Sequence, residues 1–129
     1  MSVAFLTLDE VLALHADQIA RYGGRPAVRD IRLLESALAT PKATFGGKFL
    51  HGEIFEMAAA YLFHLVQNHP FVDGNKRSGL ITMLAFLGLN GRRLEAEPAQ
   101  LTELVQGVAA GLISKAEIAV FVRRHTQSR

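Results

Sequence analysis

The chain has 129 residues, half of them hydrophobic, with no cysteine and a formal net charge of +2. That length and apolar content fit one folded domain over residues 1–129 with little disorder, and the basic surplus is too slight to imply direct nucleic-acid binding. The absence of cysteine excludes a disulfide framework and thiolate catalysis, in keeping with a reducing cytoplasm.

Leu and Ala outweigh the β-branched residues, so the expected class is all-α. Met1 to Phe5 lacks the basic and apolar blocks of a signal peptide, and the longest apolar run, Gly79 to Leu89, falls short of the ~20 helical residues that span a bilayer. No membrane association is expected. Thr7-Leu8-Asp9-Glu10 is a capping box that opens a first helix, with Leu8, Val11, Leu12, His15, Ile19 and Tyr22 on one face and Gly23-Gly24 at its end. On that face His15 reads as a packed histidine rather than a ligand. Pro26 and Asp30 bracket a loop, and Asp30 caps a short second helix that carries Ile31, Leu34, Ala37 and Leu38 and stops near Thr40-Pro41. Residues 41–52 then break the helical rhythm. Phe45 and Phe49 around Gly46-Gly47 predict either a small β-hairpin or a plain loop whose aromatics tuck into the core.

Glu53 to Asn68 predicts a third helix, and Asn75 to Asn90 a fourth, each apolar around nearly its whole circumference. Helices of that kind are buried, so these two should form the central pair of a compact bundle of about six helices. Asn90-Gly91 ends the fourth helix. Pro98 opens a fifth to about Ala110, with Leu101, Leu104, Val105 and Val108 as its apolar stripe and Gly111 as its stop. Ser114-Lys115-Ala116-Glu117 is a second capping box, starting a last helix that ends in Arg123-Arg124-His125, where cations suit a helix C-terminus. His51 and His125 are expected in solvent.

Chemistry concentrates in His69-Pro70-Phe71-Val72-Asp73-Gly74-Asn75-Lys76-Arg77-Ser78, between the two most apolar segments. Pro70 and Asp73-Gly74 predict a turn, and the helix that follows leaves the amides of Gly74, Asn75 and Lys76 without intrahelical partners. Such amides, at the positive end of the helix dipole, form an anion site. Lys76 and Arg77 lie at the wrong end of that dipole, each forfeiting roughly 0.3 to 1 kcal/mol at a surface site, which makes sense if an anion arrives. The plainer reading has Asp73 or Asn75 merely capping the helix, and leaves His69, Lys76 and Arg77 unexplained. An imidazole titrates near neutral pH, so His69 is the natural acceptor of a hydroxyl proton. Asp73 is the only carboxylate of the stretch and suits Mg²⁺ beside bound phosphates, while Gly74, Asn75, Lys76 and Arg77 would hold phosphate oxygens. A P-loop lacks its earlier glycine and strand, no His-x-x-x-His pair exists for zinc, and Ser78 lacks the elements of a hydrolase triad.

His69-Pro70-Phe71-Val72-Asp73-Gly74-Asn75-Lys76-Arg77 resembles the signature of the Fic/Doc superfamily, and more closely that of its Doc (death-on-curing) toxin branch. The superfamily pattern is His-x-Phe-x-Asp/Glu-Gly-Asn-Gly-Arg with a further arginine, and most members move AMP from ATP onto a protein hydroxyl. Here Lys76 replaces the second glycine and Leu80 stands in place of the last arginine, both as in the Doc branch. Leu14-His15 and Arg21-Tyr22-Gly23-Gly24 also look like Doc proteins, so the likeness covers essentially the whole chain. It implies a Fic-type helical bundle with a flap near residues 41–52 that aligns the target chain. The implied activity is that of a protein kinase, with His69 and Asp73 catalytic, Asp73 serving Mg²⁺, ATP bound by Gly74, Asn75, Lys76 and Arg77, and Phe71 as a buried anchor. The family's target is a threonine of elongation factor Tu, its consequence translation arrest, and its partner an antitoxin of the Phd type. Adenylyl transfer and a non-catalytic partner-binding module are the alternatives.

Overall fold

The computed structural model describes residues 2–128 as six α-helices and two small antiparallel β-pairs. The helices begin where their caps demand. Thr7 Oγ1 accepts from the Glu10 amide and Glu10 Oε1 from the Thr7 amide, opening α1 (Leu8–Tyr22), which Gly23 ends. Asp30 Oδ1 accepts from the amides of Arg32 and Leu33 at 3.0 and 3.2 Å to open α2 (Ile31–Ala39), and a single 3-10 turn, Thr40–Lys42, follows. Next comes a hairpin of β1 (Thr44–Phe45) and β2 (Lys48–Phe49), with both turn glycines at positive φ, 60° and 80°. The hairpin reading of residues 41–52 therefore holds over the plain loop. Phe45 is 81% exposed, so its ring does not tuck into the core.

The core is built around α3 (Ile54–Asn68), in which Met57 to Leu62, Leu65 and Val66 are buried. It packs most extensively against α4 (Asn75–Leu89) and α6 (Lys115–His125), and then against α2. At α4 the approach is close: a Cβ on Gly79 would lie 3.0 Å from Val66 Cγ2 and 3.2 Å from Leu62 Cδ1. Close packing thus accounts for that glycine. α3 is buried all round only along Met57 to Leu62, with Phe63 and His64 half-buried and Gln67 exposed beyond, whereas α4 sinks one face, with Ser78, Gly79, Thr82, Met83, Phe86 and Leu87, and leaves Leu80, Ile81 and Leu84 half-buried.

Two features depart from the sequence-based expectation. β3 (Arg92–Leu94) follows the Asn90-Gly91 stop and pairs with β4 (Thr126–Ser128), so the chain end returns to lie beside it. α5 (Pro98–Ala109), between them, opens with its own capping box, Glu97 with Gln100. His51 and His125 are not free in solvent either: His51 is half-buried with its Nδ1 shielded from water, and His125 Nδ1 donates to Phe121 O at 2.8 Å with its ring on that of Phe121. No helix among the described residues is long and apolar enough to cross a membrane.

A polar cluster joins α3 to α6. His64 Nε2 lies 3.0 Å from Lys115 Nζ, so the ammonium donates and the ring stays neutral. Burial first, then the charges of Lys115 and His51, hold the His64 pKa down at about 4 against an ordinary 6.5. Burial also lowers Lys115, and burial with Lys115 lowers His51 against the opposing pulls of Glu56 and the Thr40 backbone. The unfolded chain therefore binds a proton that the folded chain refuses, and stability falls as the pH drops from about 6.5 toward 4. Thermal denaturation checks this: between about pH 7 and pH 5 the protein should lose more of its melting temperature than the His64→Gln variant does. Equal losses would remove His64 as the source.

Candidate active site

The motif loop is held from three parts of the chain. His69 ends α3 in the left-handed region, at φ 54° and ψ 51°, and is the only non-glycine with positive φ among the described residues. Such a conformation in a non-glycine persists only where its surroundings hold it. Arg29 does so by reaching the end of α3, with Nε donating to His69 O at 2.7 Å and Nη2 to Asn68 O at 3.0 Å. A cation on those carbonyls also suits the helix dipole. The backbone beside Arg29 pairs with the loop: the amides of Arg29 and Asp30 donate to Pro70 O, the Val72 amide donates to Ala27 O, and Val28 bridges Phe71.

Inside the loop, Phe71 is fully buried and stacks on His15 of α1, with centroids 3.7 Å apart and planes 6° apart. His15 Nε2 also lies 2.8 Å from Asp73 O. The packed-histidine reading of His15 therefore holds, and the packing is against the motif itself. Asn75 is buried and turns back on Phe71, accepting from its N–H and donating to its C=O at 2.9 Å each.

These bonds decide what caps α4. Asp73 Oδ2 is taken by the Arg25 amide at 2.8 Å, and the Asn75 side chain by Phe71, so the N-cap is Gly74, at φ 78°, with no side-chain cap. The plainer reading, a motif that merely caps a helix, is thereby excluded. The uncapped helix start opens into a cavity of about 280 Å³ lined by His69, Val72, Asp73, Gly74, Asn75, Lys76 and Arg77. Lys76 is exposed at its mouth and forms no ion pair among the described residues. The Arg77 guanidinium instead donates to Gly23 O at 2.9 Å and Gln18 O at 3.4 Å, near the ring of Tyr22. His69, Asp73, Gly74 and Lys76 thus converge on one space. Asn75 offers that space its backbone amide, its side chain being engaged beneath the loop.

A second cavity, of about 190 Å³, adjoins the first between α4 and α5 and shares Lys76 and Arg77 with it. Leu80 and Val105 supply its apolar wall, Thr102 and Gln106 its polar rim. Among the described residues no group of three or more His, Asp or Glu side chains is placed to hold a metal. Asp73 Oδ1 accepts no hydrogen bond among the described residues, so a single carboxylate oxygen is what the site offers a cation.

Sequence reasoning missed the strap formed by Arg25, Ala27 and Arg29, and missed that His15 touches the motif. The double glycine was the available signal. Gly24 sits at φ 117°, and a Cβ there would lie 3.0 Å from both Asp73 Cβ and Ile19 Cδ1. Two adjacent glycines after a helix mark a close approach of backbone to something, although not to what.

The sequence pattern of the Fic/DOC family matches residues 5–87. The chain is 35% identical over 116 residues to a protein of Escherichia phage P1 named "Protein kinase doc", and 90% of each chain is covered. It is 42% identical over 90 residues to "Toxin Doc" of Mycolicibacterium smegmatis, covering 70% of this chain and 68% of that one.

The reciprocal bonds of Asn75 yield a stability prediction. Asn75→Ala leaves both main-chain groups of buried Phe71 unpaired and should cost roughly 1 to 3 kcal/mol in a urea titration. Unchanged stability would mean that the loop is held without Asn75.

Proposed function

The chain belongs to the Fic/DOC family, on its Doc toxin branch, and from that premise we propose that it is a Doc-type toxin acting as a protein kinase. The observation that carries this reading is the uncapped start of α4, with free amides and Lys76 facing a cavity that His69 also lines. The proposed substrates are ATP and a threonine hydroxyl of elongation factor Tu. Phosphorylation there would arrest translation in the cytoplasm, and an antitoxin of the Phd type would suppress it.

In the proposed reaction His69 accepts the proton of the threonine hydroxyl as its oxygen attacks the γ-phosphorus. The new O–P bond forms while the bond from the γ-phosphorus to the β,γ-bridging oxygen breaks, and ADP leaves with that oxygen. The amides of Gly74, Asn75 and Lys76, with the Lys76 ammonium, would hold the equatorial oxygens as charge develops, which is most of what phosphoryl transfer demands. Arg77 would add positive potential from its seat at the end of α1. Asp73 would hold Mg²⁺ through its free carboxylate oxygen, and when bound that ion would neutralise charge on the transferred group. The adjoining cavity between α4 and α5 would take the nucleoside, and the exposed β1–β2 hairpin would align a target chain. Lys76 and Leu80, where most of the superfamily has glycine and arginine, favour γ-phosphate over AMP transfer.

Incubation with elongation factor Tu and ATP labelled separately at the α and γ phosphates tests the reading. Label should pass to the target from γ alone. Transfer from α would make the protein an adenylyltransferase, and absence of both transfer and nucleotide binding would leave a partner-binding module. His69→Ala should lower the transfer rate about 100-fold or more, the contribution typical of a general base, with the melting temperature little changed.

A further inference from the structure

Of the five histidines, His15 alone is buried among the described residues, and it faces the motif from a helix 58 positions away in sequence. Its partner is a carbonyl oxygen, which only accepts, so Nε2 carries the proton and donates to Asp73 O at 2.8 Å. The parallel stack on Phe71 prevents the ring from swinging away. No cis peptide bond occurs among the described residues, and in a trans peptide the C=O and the following N–H point in opposite directions. With the Asp73 carbonyl drawn toward α1, the Gly74 N–H points away from α1. Behind Gly74 the α1 wall is tight: a Cβ there would lie 3.1 Å from Ile19 Cδ1 and 3.7 Å from His15 Cδ2. Gly74 lines the cavity and is the N-cap of α4.

We propose that His15 is a positioning residue for the anion site: by holding the Asp73 carbonyl it aims the Gly74 amide into the cavity, where a phosphate oxygen would meet it. The inference rests on the phosphate-binding reading above and deepens it. A flipped Asp73–Gly74 peptide would present a carbonyl oxygen to the phosphate and turn attraction into repulsion. Recognition of the anion thus depends on a side chain that never touches it.

Two variants separate the bond from the packing. His15→Phe keeps a ring against Phe71 and lacks the donor, while His15→Gln supplies a donor near the position of Nε2 and lacks the ring. The probe is inorganic tripolyphosphate, with affinity read by calorimetry, the Gly74 amide by its nitrogen-15 NMR signal, and fold by thermal melting. His15→Phe should bind about tenfold more weakly, as the loss of one hydrogen bond's effect allows, and its Gly74 signal should no longer move on binding. His15→Gln should restore both, at melting temperatures close to that of the unaltered protein. Tight binding with a responsive Gly74 signal in His15→Phe would overturn the positioning role and leave the phosphate reading standing. Weak binding that His15→Gln fails to restore and that follows a lowered melting temperature would reduce His15 to a packing residue. Failure of the unaltered protein to bind tripolyphosphate would overturn both.

Discussion

The Asn75 side chain accepts from the Phe71 N–H and donates to its C=O, and in closing that pair it turns away from the helix it begins. A helix start ordinarily recruits a side-chain oxygen for its first amides. Here the two candidates are engaged elsewhere, Asn75 by Phe71 and Asp73 by the Arg25 amide, so Gly74 stands at the N-cap without one. The first amides of α4 and the positive end of its dipole therefore face a cavity rather than a cap. Lys76 adds a charge that the helix itself does not want, at roughly 0.3 to 1 kcal/mol, and a helix start so arranged is suited to an incoming anion.

The mount beneath that start is stiff because separate parts of the chain converge on it. α1 contributes His15, the strap at Arg25, Ala27 and Arg29 contributes main-chain and guanidinium donors and a carbonyl, and α3 ends directly in the loop. Each such hydrogen bond contributes only about 0.5 to 1.5 kcal/mol net, yet together they fix a loop whose first residue occupies a left-handed conformation. The buried α3 carries this assembly on the most enclosed element of the core, where geometry is held to the tolerance that transfer chemistry needs. Arg77 resolves its own conflict with the dipole of α4 by reaching carbonyls in the last turns of α1.

Much of this was legible from residues alone. Thr7 with Glu10, Asp30, and Ser114 with Glu117 announce helix starts because capping is local, whereas Gly46-Gly47 left a hairpin and a plain loop open, and the two positive φ angles of the turn decide for the hairpin. The motif was legible because its charges contradict its place in a helix. β3 and β4 were not, since each is three residues long and its partner lies more than thirty positions away, leaving no period to read. Nor did Asn75 reveal whether it would cap forward or bond backward, because both are local choices that only the burial of Phe71 decides. His51, expected in water, is drawn toward Lys115 by the docking of α6, which no local pattern around it encodes, whereas His125, also expected in water, folds back on Phe121 one turn earlier in its own helix.

One cavity gathers the groups on which the proposed reaction relies: His69, where a hydroxyl would lose its proton, and the start of α4 up to Lys76, where phosphate charge would gather. The relatives bear the names of a kinase and a toxin, and Lys76 and Leu80 are the residues that set this chain apart from the AMP-transferring pattern. A crystal structure of the protein with a non-hydrolysable ATP analogue and Mg²⁺ is the most direct measurement. It should place the phosphates on the Gly74 to Lys76 amides, with the terminal phosphorus nearest His69 and the loop backbone essentially unmoved. Phosphates seated elsewhere, or a loop that must rearrange so that Asn75 or Asp73 caps α4, would contradict the existence of a ready-made anion site.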